Sequence, residues 1–91
     1  KMATMAEQME ARIVAALHPA SLEIIDDSHQ HRGHAGHRAG GESHFTVIIK
    51  AAAFADLSRV ARQRAVYAAL GDLMAPDRIH ALVIRADTPE T

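Results

Sequence analysis

Histidine is the residue that most plainly carries chemistry in this chain. Four of the seven fall within Ser28-His29-Gln30-His31-Arg32-Gly33-His34-Ala35-Gly36-His37, and another, His80, opens the last apolar run. Imidazole is the commonest protein ligand for transition metals, and the chain has no cysteine, so the pattern points to metal chemistry. The same absence removes disulfides, a thiol nucleophile and any self-sufficient thiolate cluster. An iron-sulfur centre would need thiolates from another molecule. Catalysis has little to work with: Ser43 and His44 are neighbours on a strand pattern and point to opposite faces. Asp26 and Asp27 diverge at a strand end and read as solvated. The chain is therefore read as a non-enzyme, with no nucleotide cofactor.

The elements that must position these side chains are legible in the apolar spacing. From about Ala3 to Leu17, Met5, Met9, Ile13, Ala16 and Leu17 recur at three- and four-residue intervals, which predicts an amphipathic helix closed by His18-Pro19. The methionines are read as core, not as a binding face. Ser21 to Asp26 alternates briefly and predicts a first strand with Leu22 and Ile24 buried. Residues 28–43 hold four of the five glycines and no apolar residue larger than alanine, so they form a long loop, which in so small a domain is either functional or disordered.

Ser43 to Lys50 alternates cleanly, with Phe45, Val47 and Ile49 on one face, and is the clearest strand. A helix is expected from Arg59 through Met74, capped by Ser58 and stopped by Pro76, with Val66, Leu70 and Leu73 facing the core and Tyr67 and Met74 at its margin. Gly71 lowers its propensity. Ile79 to Ile84 is the third strand. The first two strands should pair antiparallel, and the helical crossover favours a parallel second pairing. The expected fold is α+β, order α-β-β-α-β: a three-stranded mixed sheet with the helices on one face.

At 91 residues the chain is one small domain, with about 3–89 ordered. Hydrophobic residues make up 48% but no run is long enough to span a membrane. The first twelve residues lack the apolar centre of a secretory signal, so the cytoplasm is the expected compartment. A formal net charge of -1 weakens a general nucleic-acid reading, although a local basic patch is compatible with it.

Three ordered blocks resemble the BolA family: Leu22-Glu23-Ile24-Ile25-Asp26-Asp27-Ser28, then Gly41-Glu42-Ser43-His44-Phe45-Thr46-Val47, then Ile79-His80-Ala81-Leu82-Val83-Ile84 with Thr88-Pro89. The similarity runs from about Ala6 to Pro89, and the family fold is similar to a type II KH domain. The resemblance implies a partnership with a monothiol glutaredoxin in iron-sulfur cluster assembly, trafficking or iron signalling. The pair would share a two-iron two-sulfur cluster with glutathione. The BolA-like protein supplies a histidine at the start of the last strand, matched by His80, and a Cys or His from the first long loop. That loop ligand aligns onto His31, with His34 and His37 as substitutes. His31, His34 and His80 are the metal candidates. Imidazole in place of thiolate makes a cluster less negative, and a site split between two proteins is easier to transfer. Protons compete for imidazole ligands near the ordinary histidine pKa of about 6.5, so cluster retention should weaken in mild acid.

The chain departs from the family's Phe-x-Gly and Arg-His-Arg, which are here Phe54-Ala55-Asp56 and Arg62-Gln63-Arg64. Functions that need an imidazole at position 63 are thereby in question. Other readings stay open. His80 by itself is equally a satisfied polar group at a strand edge, and the loop histidines are equally a solvated tract that binds added metals nonspecifically. His44 is read as structural or interfacial, with second-shell support as the lesser alternative. The alternative function is nucleic-acid binding, with DNA as partner and Arg59, Arg62 and Arg64 at the front of the long helix as phosphate contacts. Gly33-His34-Ala35-Gly36 has the letters of a KH clamp but lies between strands, not helices. A loop-only metal module is a third reading. The apo chain is expected to be a monomer or weak homodimer.

Overall fold

The chain begins its first helix, α1 (Met5–Leu17), with a reciprocal cap. Thr4 accepts from the backbone N–H of Glu7, and the Glu7 carboxylate accepts from that of Thr4. Two otherwise orphaned donors are satisfied at once. The helix ends where His18 turns left-handed at φ 47° and donates its N–H to Val14; Pro19 then prevents continuation. A computed structural model describes residues 3–27 and 44–90. Loop 28–43, with His29, His31, His34 and His37, lies outside the described residues.

Three strands follow the expected topology: β1 (Ser21–Asp26), β2 (His44–Lys50) and β3 (Ala81–Asp87), in spatial order β1-β2-β3. β1 pairs antiparallel with β2, placing Ile24 opposite Val47. β2 pairs parallel with β3, placing His44 opposite Ala81 and Val47 opposite Ile84. Phe45, Val47 and Ile49 are fully or almost fully buried. The helix α2 (Arg59–Leu70), capped by Ser58, joins α1 on that face. Met9 and Ile13 from α1 and Val66 and Leu70 from α2 belong to one buried cluster with the sheet residues, together with Phe54 and Leu73. Burial of each large side chain contributes roughly 1.5–3 kcal/mol. The fold is α+β with both helices on one sheet face, as the apolar stripes require.

Several details differ from expectation. Ala16 is exposed, so the core stripe of α1 is narrower than its spacing implied, with Met5 and Leu17 only partly buried. The second helix stops at Leu70, and Gly71–Met74 continues as a 3-10 turn. Gly71 sits at φ 54°, ψ −125°, a conformation open to glycine and closed to most other residues, so it ends the α-helix instead of merely weakening it. Tyr67 is 40% exposed, outside the core margin. The third strand starts two residues later than expected. Ile79 is buried, but its N–H donates to Leu73 and is lost to the ladder, so pairing begins at Ala81. A short 3-10 turn, Ala52–Phe54, has no periodic signature and seats Phe54 in the core.

Candidate metal edge and basic groove

His80 is exposed and stands immediately before β3, at the head of the strand, not within it. His44 is the first residue of β2 and is half-buried. The parallel register sets these two strand heads side by side, and the imidazole rings lie 5.1 Å apart, centre to centre, at an interplanar angle of 59°. The sequence reading treated these histidines separately. Their pairing depends on a register between segments 36 positions apart, which no local pattern reports.

The same sheet end carries both roots of the long loop. Asp27 closes it from the β1 side by donating its N–H to the His44 carbonyl at 2.7 Å. Its carboxylate accepts from the Thr46 hydroxyl at 2.6 Å. Asp27 is therefore engaged, contrary to its reading as a solvated strand-end residue; the antiparallel pairing brings Thr46 within reach. Asp27 and His44, the described residues on either side of the segment 28–43, are thus joined at this end of the sheet. The proposed ligands His31 and His34 fall outside the described residues. Among the described residues no group of three or more His, Cys, Asp or Glu side chains is placed to hold a metal ion. Two imidazoles are what this edge offers, and further ligands would come from the loop, a partner or solvent.

At the other end of β3 an open groove of about 710 Å³ runs between that strand and the start of α2. Arg59, Arg62 and Arg85 give it positive charge, against one acid, Asp87. The three helix arginines expected to act together divide their roles. Arg62 is drawn inward: Nε donates to the Leu57 carbonyl at 3.1 Å and an Nη donates to the Ala86 carbonyl at 3.3 Å. Its contact with Asp87 is a looser 3.8 Å. Arg59 and Arg64 remain exposed. Gln63, where the family carries histidine, donates Nε2 to the Ile84 carbonyl at 3.1 Å. Arg62 and Gln63 thus cap two outward carbonyls of the edge strand β3, which leaves fewer acceptors there for pairing with another chain. Nothing in the helical periodicity marks this role.

Across the molecule, Arg12 of α1 donates to the Leu70 carbonyl at 3.1 Å and to Asp72 at 2.7 Å. The Arg12 guanidinium, by this hydrogen bond and by its charge, holds the Asp72 carboxyl below its usual value. No helix among the described residues is long and apolar enough to cross a membrane.

The BolA-like protein family matches residues 13–91. An uncharacterized protein in the cobS 5' region of Sinorhizobium sp. is 42% identical over 90 residues, covering 94% of this chain and 92% of that protein. The DNA-binding transcriptional regulator BolA of Escherichia coli is 32% identical over 82 residues, covering 90% of this chain and 73% of the regulator. Among solved structures, the BolA domain of SufE1 from Arabidopsis thaliana superposes with a TM-score of 0.82 at 34% identity, covering 99% of this chain and 98% of that domain. BolA-like protein 1 of Mus musculus is a further relative, 39% identical over 81 residues, covering 89% of this chain and 56% of that protein. With the element order, the strand-head histidine and the core all in agreement, the chain belongs to the BolA-like family.

Proposed function

We propose that this chain binds a monothiol glutaredoxin and shares a two-iron two-sulfur cluster with it, acting in iron-sulfur cluster assembly, trafficking or iron signalling. The observation that carries the reading is the position of His80: exposed, at the head of β3, and beside His44, the first described residue after the histidine-rich segment. His80 supplies one imidazole, and His31 or His34 supplies the other. The glutaredoxin cysteine and glutathione bring the thiolates that this chain lacks. A strand-head ligand is held by the ladder and a glycine-rich loop can adapt to the docked partner, so one ligand orients and the other adjusts. Mixed ligation split across two proteins favours release of the cluster over permanent storage.

The test is anaerobic reconstitution with a monothiol glutaredoxin and glutathione, followed by visible absorption, circular dichroism and size-exclusion chromatography. A stoichiometric heterodimer with an altered cluster spectrum is expected, and His80→Ala should lose it. A glutaredoxin homodimer cluster unchanged by this protein, or full retention of the mixed spectrum by His80→Ala, would overturn the proposal.

The regulator among the relatives and the arginine-lined groove favour a second reading, nucleic-acid binding. Arg59→Ala is the suitable probe, because Arg62 has a structural task. DNA binding through this groove should survive His80→Ala, fall steeply with salt and weaken in Arg59→Ala.

A further inference from the structure

We propose that His44 and His80 form a two-imidazole seat for a single d-block cation such as Zn²⁺, available to this chain without any partner. The argument begins with the ring separation. A zinc ion bonded to imidazole nitrogen at about 2.0–2.1 Å lies about 3.2 Å from the ring centre. Two such rings at a tetrahedral angle then stand about 5.2 Å apart, and at a right angle about 4.5 Å. The observed separation is 5.1 Å. The ring separation therefore matches the one a chelated tetrahedral ion would impose.

The backbone supports this spacing. His44 is fixed by the β2 ladder and by the Asp27 N–H on its carbonyl, and its neighbour across the parallel register is Ala81. His80 is tied to that register through Ala81 and is exposed, so the remaining coordination positions open to water. Among the described residues no third His, Cys, Asp or Glu is gathered here, so the seat rests on these two imidazoles, with further positions left to residues 28–43 or solvent. It shares His80 with the proposed cluster site but does not rest on that proposal, since a lone cation needs neither glutaredoxin nor sulfide. It assigns His44, read from sequence as structural or interfacial, a direct ligand role.

The loop histidines would mask the seat in a simple titration. The experiment therefore uses the full chain with His29, His31, His34 and His37 all changed to Asn, titrated with Zn²⁺ alone. Binding is followed by calorimetry and by the ring nitrogen signals of His44 and His80 in long-range ¹⁵N-correlated NMR. One Zn²⁺ per chain is expected, shifting one ring nitrogen of each histidine together. His44→Asn and His80→Asn, made separately in that background, should each weaken binding at least tenfold. His80→Asn changes an exposed residue and keeps the fold, and the NMR readout needs no mutation in the seat.

Ring signals that ignore Zn²⁺, or affinity unaltered by His44→Asn, would overturn the seat. Neither result bears on cluster sharing with a glutaredoxin, which has its own test.

Discussion

Replacing Arg62 with alanine should lower stability by about 2 kcal/mol, although arginine on a helix face is ordinarily dispensable. The side chain is only 22% exposed and makes two hydrogen bonds to backbone carbonyls, at Leu57 and Ala86. Hydrogen bonds to charged groups contribute roughly 1.5–3 kcal/mol each. The groove is open, so water can take over the freed carbonyls, and the 3.3 Å bond is the weaker of the two; both points bring the sum down to the stated value. The Asp87 contact adds little, because it is 3.8 Å long and Asp87 is 48% exposed. In a domain of this size the loss corresponds to a fall in Tm of about 10 °C. Thermal and urea unfolding of Arg62→Ala, Arg64→Ala and Asp87→Asn provide the assay. Arg64→Ala and Asp87→Asn should stay within about 0.5 kcal/mol of the parent. If Arg62→Ala costs no more than Arg64→Ala, the reasoning that Arg62 fastens the β3 edge to α2 fails. Loss of DNA binding in Arg62→Ala could then be read directly as loss of a phosphate contact.

Three further outcomes follow from the packing. Gly71→Ala should destabilise by about 1–2 kcal/mol in chemical denaturation, through backbone strain: the added Cβ meets Arg12 at an ordinary 3.5 Å, but φ is 54°. Thr46→Val should cost about 1–2 kcal/mol and speed amide exchange at Asp27, because the Asp27 carboxylate loses its 2.6 Å donor at the loop root. Asp72 has a lowered folded-state pKa, so its stabilising contribution is full above the unfolded value of 3.8 and disappears as pH falls through the lowered one. Asp72→Asn should accordingly be slightly less stable than the parent near neutrality, and the two should converge in strong acid; a gap that widened with acid would contradict the Arg12–Asp72 pairing.

Much of the architecture was legible in local patterns because each has a local cause. The stripe Met9, Ile13 and the alternation Phe45, Val47, Ile49 each place one apolar face, and an unbroken connection through α2 sets the sense of the second pairing. The position of His80 at the start of the last strand was legible because its block of sequence marks it. The family blocks reached the same segments, and the three-stranded mixed sheet followed from burying two helical faces at once. What could not be read locally is whatever two distant segments decide together. The helix end at Gly71 was visible only as a propensity cost, since its positive φ is a conformation that the residue type permits but does not dictate.

Residue types and their spacing by themselves determined the element order and the buried faces, and they concentrated the histidines before the second strand and at the head of the third. Tertiary structure decided which of those imidazoles meet. The β2–β3 register brings His44 beside His80, and the β1–β2 pairing turns Asp27 from a solvated acid into the anchor of the loop. The docking of α2 on β3 takes Arg62 out of the basic face and commits it to the sheet edge. Periodicity reports which face of an element is apolar, whereas hydrogen bonds and ring contacts between elements depend on register and docking. Those are set by the packed core as a whole.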